Sequence, residues 1–186
     1  MAFYQNNRPL ELSADALRAA YPTRWTDILE KSNRHPPMTL RINRRQVGRA
    51  AYQQALLAIG VASTPVGDDG LVLDAPQPVE RLPGFAQGHC SVQDAAAQMA
   101  APLLLQGLDL AQPLRVLDAC AAPGGKTAHL LEMAAPGAPV HVTALEIDAT
   151  RSARIGDTLQ RLGLSAQVLV ADAARPQDWW QAHCGG

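Results

Sequence analysis

The chain holds 186 residues, 47% of them hydrophobic and 18% charged, with a formal net charge of −1. That is enough apolar material to bury a core, and it excludes a disordered chain. No apolar run approaches the roughly 18 residues needed to cross a bilayer, and the first eight residues lack the basic-then-apolar order of a secretion signal, so a soluble cytoplasmic protein with no membrane partner is expected. Cys90, Cys120 and Cys184 are too widely and unevenly spaced for a disulfide framework or a zinc site, and no metal is expected.

In chain order, the spacing predicts a short helix over 14–20 capped by Ser13 and ended by Pro22, then a second helix capped by Thr23 with Trp25, Ile28 and Leu29 as its apolar stripe. Asn33-Arg34-His35-Pro36-Pro37 breaks helical structure. Residues 38–43 alternate as a half-buried strand, with Met38, Leu40 and Ile42 on one side and Thr39, Arg41 and Asn43 on the other. A helix over 48–59 stopped by Gly60, a turn at 67–70 and a strand at 71–73 complete a small α/β unit. A proline-rich connection leads to Asp94, expected to cap a helix over 95–105.

From there strand, loop and helix alternate. Strands are expected at 115–117 ending on Asp118, at 140–145 ending on Glu146 and at 167–170 ending on Asp172, with helices over 126–134 and 151–162. This order implies an α/β fold with a parallel, doubly wound sheet.

The stretch Asp118-Ala-Cys-Ala-Ala-Pro-Gly-Gly-Lys-Thr127 lies at the carboxyl end of the first of these strands, where open α/β sheets bind ligands. Its small residues let a ligand approach the backbone. Gly124 and Gly125 allow unusual backbone angles, and the following helix N-terminus favours an anionic group. A phosphate-binding P-loop is excluded because Cys120 stands where its first glycine belongs, and no Gly-x-Gly-x-x-Gly is present. Glu146, 28 residues beyond Asp118, could accept hydrogen bonds from two ribose hydroxyls, and Asp172 could take an adenine amino group. Acids also end strands as solvated caps, but three successive strands ending in Asp, Glu and Asp behind a small-residue loop favour a nucleoside ligand.

This stretch resembles the S-adenosylmethionine motif of the Nop/Sun family of RNA cytosine-C5 methyltransferases. Arg34-His-Pro-Pro-Met-Thr-Leu-Arg-Ile-Asn43 and Leu82-Pro-Gly-Phe…Gly88-His-Cys-Ser-Val-Gln-Asp-Ala-Ala-Ala-Gln98 are similar to the small domain that precedes the catalytic one in that family. The resemblance implies a small α/β RNA-binding-type domain with its connecting helix over 1–106, and the first three strands of a truncated Rossmann-like methyltransferase domain over 107–186. It implies S-adenosyl-L-methionine as cofactor, with Cys120, Ala121, Ala122, Pro123, Gly124, Gly125 and Lys126 around its methionine part, Glu146 on the ribose and Asp172 on the adenine. Asp118 and Arg151 would support the loop and the cofactor edge.

It also implies RNA, 16S ribosomal RNA in particular, as partner and substrate. In the family a cysteine thiolate attacks the cytosine, and the two important cysteines lie in Asp-Ala-Pro-Cys and Thr-Cys motifs. Neither motif occurs here, so no catalytic residue is expected in this chain. Cys120 reads as a small packing residue of the loop, and Cys90 as part of the connection. The chain therefore reads as a fragment, inactive alone, of an RNA methyltransferase; the alternative is a non-catalytic RNA-binding or ribosome-assembly module with a vestigial cofactor loop.

Residues 1–50 hold nine basic and four acidic side chains, whereas the remainder is acidic overall. Arg34, Arg41, Arg44, Arg45 and Arg49 form the main basic cluster, expected to contact RNA phosphates. Tyr52 and Trp25 are expected in the core rather than stacked on bases.

Overall fold

The computed structural model describes residues 14–33, 36–135, 137–138 and 140–183. It divides into two compact units, Met1–Pro36 and Pro37–Gly186. The described part of the first holds α1 (Ala14–Ala20) and α2 (Trp25–Ser32), with the Arg18 guanidinium 4.5 Å from the centre of the Trp25 ring. The expected Ser13 cap lies outside the described residues. Thr23 does not cap α2: the helix starts after Arg24 without a side-chain cap, because the Tyr21 carbonyl accepts both the Arg24 and Trp25 N–H groups at 3.0 Å. Trp25, Ile28 and Leu29 are half-buried rather than core.

The second unit contains two sheets. The first is built from β1 (Thr39–Ile42), β2 (Ser63–Val66), β3 (Gly70–Leu73) and β4 (Cys90–Val92) in the order β2-β3-β1-β4, all pairs antiparallel. The helix α3 (Arg49–Ala58) packs on it. Leu40, Ile42, Tyr52, Leu56, Leu71, Leu73, Leu82 and Cys90 make its core. The strand at 71–73 and the helix over 48–59 match the expectation closely. The two outer strands went unread for a local reason. β2 carries Pro65 and is largely solvated, tolerable because it is an edge strand, and β4 has only three residues.

Two readings of this region are corrected. Strand β1 is buried on both faces rather than one. Leu40 and Ile42 enter the small-sheet core, while Arg41, at 1% exposure, is covered on the opposite face. Cys90 is a buried strand residue, not part of a loop. Its Sγ lies 2.9 Å from the Tyr52 hydroxyl, and burial pushes both groups' pKa values up. Tyr52 is a core residue, as expected, at 1% exposure.

The expected helix over 95–105 is broken into α4 (Ala95–Gln98) and α5 (Ala100–Leu105). Pro102 explains the break, since in one continuous helix it could not donate to the Gln98 carbonyl and its ring would clash there. Asp94 precedes α4 but makes no side-chain cap.

Then follow β5 (Leu114–Asp118), α6 (Gly125–Met133), β6 (Val140–Glu146), α7 (Ala149–Leu162) and β7 (Gln167–Val170). The three strands are parallel in the order β5-β6-β7, so the mixed α/β class is as expected. Parallel strands need covered faces, and Ala128, Leu131, Ile155, Leu159 and Leu162 from α6 and α7 pack on Val142 and Ala144. Helix α7 is capped by Asp148, whose Oδ1 accepts the Arg151 N–H at 3.0 Å, and ends at Gly163, in the left-handed region at φ +64. A short α8 (Trp180–His183) closes the described chain. Among the described residues no helix is long and apolar enough to cross a membrane.

Two arginines tie the sheets together. Arg161, in the last turn of α7, donates to the Phe85 and Cys90 carbonyls at 2.7 and 3.0 Å and to Ser91 Oγ at 3.2 Å, and its guanidinium lies 4.2 Å from the Phe85 ring centre. Arg41 reaches from β1 to α6, where its Nε and Nη2 donate to the two carboxylate oxygens of Glu132 at 3.0 and 2.9 Å.

Two outcomes follow from this packing. Leu40 is fully buried, so Leu40→Ala should cost about 2–5 kcal/mol, read as a lower urea midpoint. His129 is buried on α6 with no hydrogen-bond partner for Nδ1. Burial, then the charges of Arg41 and Arg44, push its pKa down to about 3 from an ordinary 6.5. The unfolded chain therefore binds a proton that the folded chain refuses between those values. Stability is fully present above about pH 6.5 and falls as pH drops toward 3. Thermal melts of His129→Leu should show a shallower acid-side decline than the wild type.

Candidate functional site

The carboxyl ends of β5, β6 and β7 lie side by side because the strands are parallel and in register: Asp118 is opposite Ala144, and Glu146 is opposite Val170. The loop after β5 is anchored to β6 by the Ala121 N–H, which donates to the Leu145 carbonyl at 2.9 Å. It turns through a cis Ala122–Pro123 peptide into Gly124, which caps α6 with φ +99 and ψ 2. A Cβ at Gly124 would lie 3.2 Å from Ile155 Cα and 3.3 Å from Thr158 Cβ, so both backbone angle and space require glycine. Thr158 Oγ1 donates to the Pro123 carbonyl at 2.7 Å, and Thr127 Oγ1 donates to Asp118 Oδ2 at 2.7 Å. Asp118 thus supports the loop, as expected of it.

The expected conformational role of Gly125 is corrected. It is an ordinary helical residue, and an added Cβ would approach nothing closer than Gln93 Nε2 at 3.6 Å. Cys120 is exposed, so it is not the packing residue expected; the loop points it to solvent instead of into the helix layer. Ala121 and Gly124 are buried, Ala122 and Gly125 half-buried, and Pro123 and Lys126 exposed.

Glu146 is 3% exposed. Its Oε1 accepts the Asp148 N–H at 3.2 Å, while Oε2 is buried without a hydrogen-bond donor. Arg151 Nη2 stands 3.4 Å from Oε2, an ion pair from a half-exposed side chain. Asp172 lies two residues past the end of β7. Its Oδ1 accepts the Ala174 N–H at 2.9 Å, and its carbonyl accepts the Trp179 indole N–H at 2.9 Å.

A cleft of about 130 Å³ lined by Leu104, Leu117, Asp118, Ala119 and Lys126 adjoins the loop on the α5 side. A larger cavity of about 500 Å³ lies elsewhere, between the β2–β3 turn and α4–α5, with His129 in its wall. None of the expected ligand residues lines it.

The basic cluster is divided: Arg41 is buried, Arg49 half-buried, and Arg44 and Arg45 exposed. Arg41 is buried on Glu132. Arg44 is ion-paired with Asp69, Arg45 Nη1 donates to the Leu131 carbonyl at 3.3 Å, and Arg49 donates to the Gly67 carbonyl. Arg34 lies outside the described residues. Glu132 and Gln93, both buried against Arg41, were missed from the sequence. The only local signal was a lone acid in the last turn of a helix whose neighbours are all apolar.

Family models match two segments. Residues 13–80 match the ferredoxin-like domain of RsmF/B-like methyltransferases, and residues 105–184 match the 16S rRNA methyltransferase RsmB/F domain. The chain is 47% identical over 167 residues to "Ribosomal RNA small subunit methyltransferase B" of Pseudomonas syringae pv. tomato. It is 46% identical over 168 residues to the protein of that name from Vibrio cholerae. Each alignment covers 89% of this chain but only 36% and 37% of the relative, so the chain spans little more than a third of the curated relatives it matches. Among solved structures, a methyltransferase homologue from Pyrococcus horikoshii superposes with a TM-score of 0.72 at 23% identity, covering 88% of this chain and 53% of that one. NSun6 from the same organism, crystallised with SFG, gives 0.72 at 15% identity over 91% of this chain and 67% of that one. These two likenesses establish the fold: a small sheet joined to the first strands of a Rossmann-like methyltransferase sheet. With both domain models matched in order and close to half the residues shared with its relatives, the chain belongs to the RsmB/F methyltransferase family.

Proposed function

We propose that this chain is the cofactor-binding part of an S-adenosylmethionine-dependent RNA cytosine-C5 methyltransferase of the cytoplasm that acts on 16S ribosomal RNA. Its division would be a small RNA-facing domain over 1–106 and a methyltransferase part over 107–186. The observation that carries this reading is Glu146. A carboxylate oxygen buried without a hydrogen-bond donor costs free energy, and here Oε2 lies at the carboxyl end of a parallel strand with only the Arg151 guanidinium, 3.4 Å away, facing it. That is the donor deficit a ribose diol would satisfy.

The residues present fit the cofactor. Gly124 brings no side chain over the start of α6, so the unsatisfied first-turn N–H groups and the 120–126 loop can receive the methionine carboxylate and chain. Glu146 would accept from the ribose hydroxyls, with the Arg151 guanidinium beside its Oε2, and Asp172 would accept from the adenine amino group. When bound, the cofactor supplies an electrophilic methyl group. The chain's own residues bind and orient it. Cys90 is buried, hydrogen-bonded to Tyr52 and pushed toward the thiol by burial, the opposite of an activated thiolate.

Calorimetry with S-adenosylhomocysteine should show binding to the chain that weakens about ten- to hundredfold in Glu146→Ala, the loss of charge-assisted hydrogen bonds. Unchanged affinity would remove Glu146 from the site. Arg44 and Arg45 are both exposed at the end of β1 and could exchange their internal partners for phosphate. Changing both to Ala should reduce the slope of log affinity for RNA against log salt by about 1–2, measured by filter binding. An identical slope would leave them as structural residues.

A further inference from the structure

We propose that Arg41 is the positioning residue of the cofactor loop, holding the first turn of α6 in register with the small sheet; this rests on the cofactor reading above. Arg41 lies on β1, an inner strand bonded to β3 on one side and β4 on the other, so its backbone is fixed by two ladders. Its side chain is 0% exposed and uses its whole fork. Nε and Nη2 hold Glu132, while Nη1 donates to Gln93 Oε1 and, at 2.8 Å, to the carbonyl of Gly125. Gly125 is the first residue of α6 and Glu132 lies in its last turn. A single planar group therefore grips the helix at both ends.

The arrangement is a poor one for helix stability. It sets a cation against the N-terminal turn and an anion against the C-terminal turn, both opposed to the macrodipole. A buried ion pair is moreover often no more stabilising than an apolar pair of the same volume. What the fork supplies is geometry. The Gly125 carbonyl belongs to the turn whose N–H groups face the expected methionine carboxylate, and a displacement of about 1 Å at such a site is costly to function. Lysine is a poor substitute, since its single ammonium lacks the planar fork that reaches both Glu132 oxygens, Gln93 and the Gly125 carbonyl at once.

The test uses the 186-residue chain with three variants: Arg41→Lys, Glu132→Gln, and the apolar double replacement Arg41→Met with Glu132→Leu. Each is followed by thermal unfolding, by amide hydrogen exchange and by calorimetry with S-adenosylhomocysteine. The double replacement should melt within a few degrees of the wild type yet bind about tenfold more weakly. In Arg41→Lys and the double replacement, amides 128–130, the first hydrogen-bonded ones of α6, should exchange at least about tenfold faster while those of Val142 and Ile155 are unchanged. Wild-type affinity and unaltered exchange in a folded double replacement would overturn the proposal. If that variant does not fold, the same two readings on Arg41→Lys and Glu132→Gln decide. Exchange is measured without ligand: faster exchange at 128–130 in the variants, together with a wild type that binds no S-adenosylhomocysteine, would overturn the cofactor reading and leave the clamp on α6 standing.

Discussion

A guanidinium removed from water has to place its donors on acceptors or lose several kcal/mol. The way Arg41 meets that demand organises the second unit. Its acceptors come from three places: the acid of α6, the carbonyl that begins α6, and Gln93 just beyond β4. The antiparallel sheet and the first helix of the parallel sheet are thereby brought to one fixed point. Arg161 makes a complementary tie from α7 to Phe85, Cys90 and Ser91. The small sheet is thus held to consecutive helices of the methyltransferase layer by charge-assisted hydrogen bonds, while Leu40, Ile42 and Leu56 fill its own core.

The same economy governs the strand ends. Parallel pairing places Asp118, Glu146 and the start of the segment carrying Asp172 along one edge, but their environments differ. Asp118 is occupied by Thr127, and Asp172 is folded into its own turn. Glu146 alone combines near-complete burial with an oxygen that lacks a donor. Three carboxylates that look equivalent as letters therefore divide into an acceptor for Thr127, a half-buried turn residue and a buried acid with one oxygen lacking a hydrogen-bond donor.

The uneven charge of the chain has a similar resolution. Four arginines between 41 and 49 look like a phosphate-binding stripe. In the folded unit each has an internal partner, Glu132, Asp69, Leu131 or Gly67, and only Arg41 is buried by its own. Net positive charge in a segment reports on partners only after internal partners are counted, and those lie 18 to 91 residues away.

The sequence by itself determined the local elements and the conformation of the β5–α6 turn. Periodicity located α3, α6, α7 and the parallel strands, and the small-residue run marked the turn in which Gly124 caps α6, because backbone conformation and helix capping are set by near neighbours. Tertiary structure decided what covers a polar face. Alternation in 38–43 shows two faces but cannot say that the second meets another layer, so Arg41 read as solvent-facing when it is buried. Edge strands β2 and β4 escaped because their pairing energy comes from distant partners and not from their own composition. Even Gly125, whose carbonyl serves Arg41, looked like a conformational glycine until a strand more than 80 residues away was seen to reach it; long-range contacts, which local pattern cannot encode, decided that role.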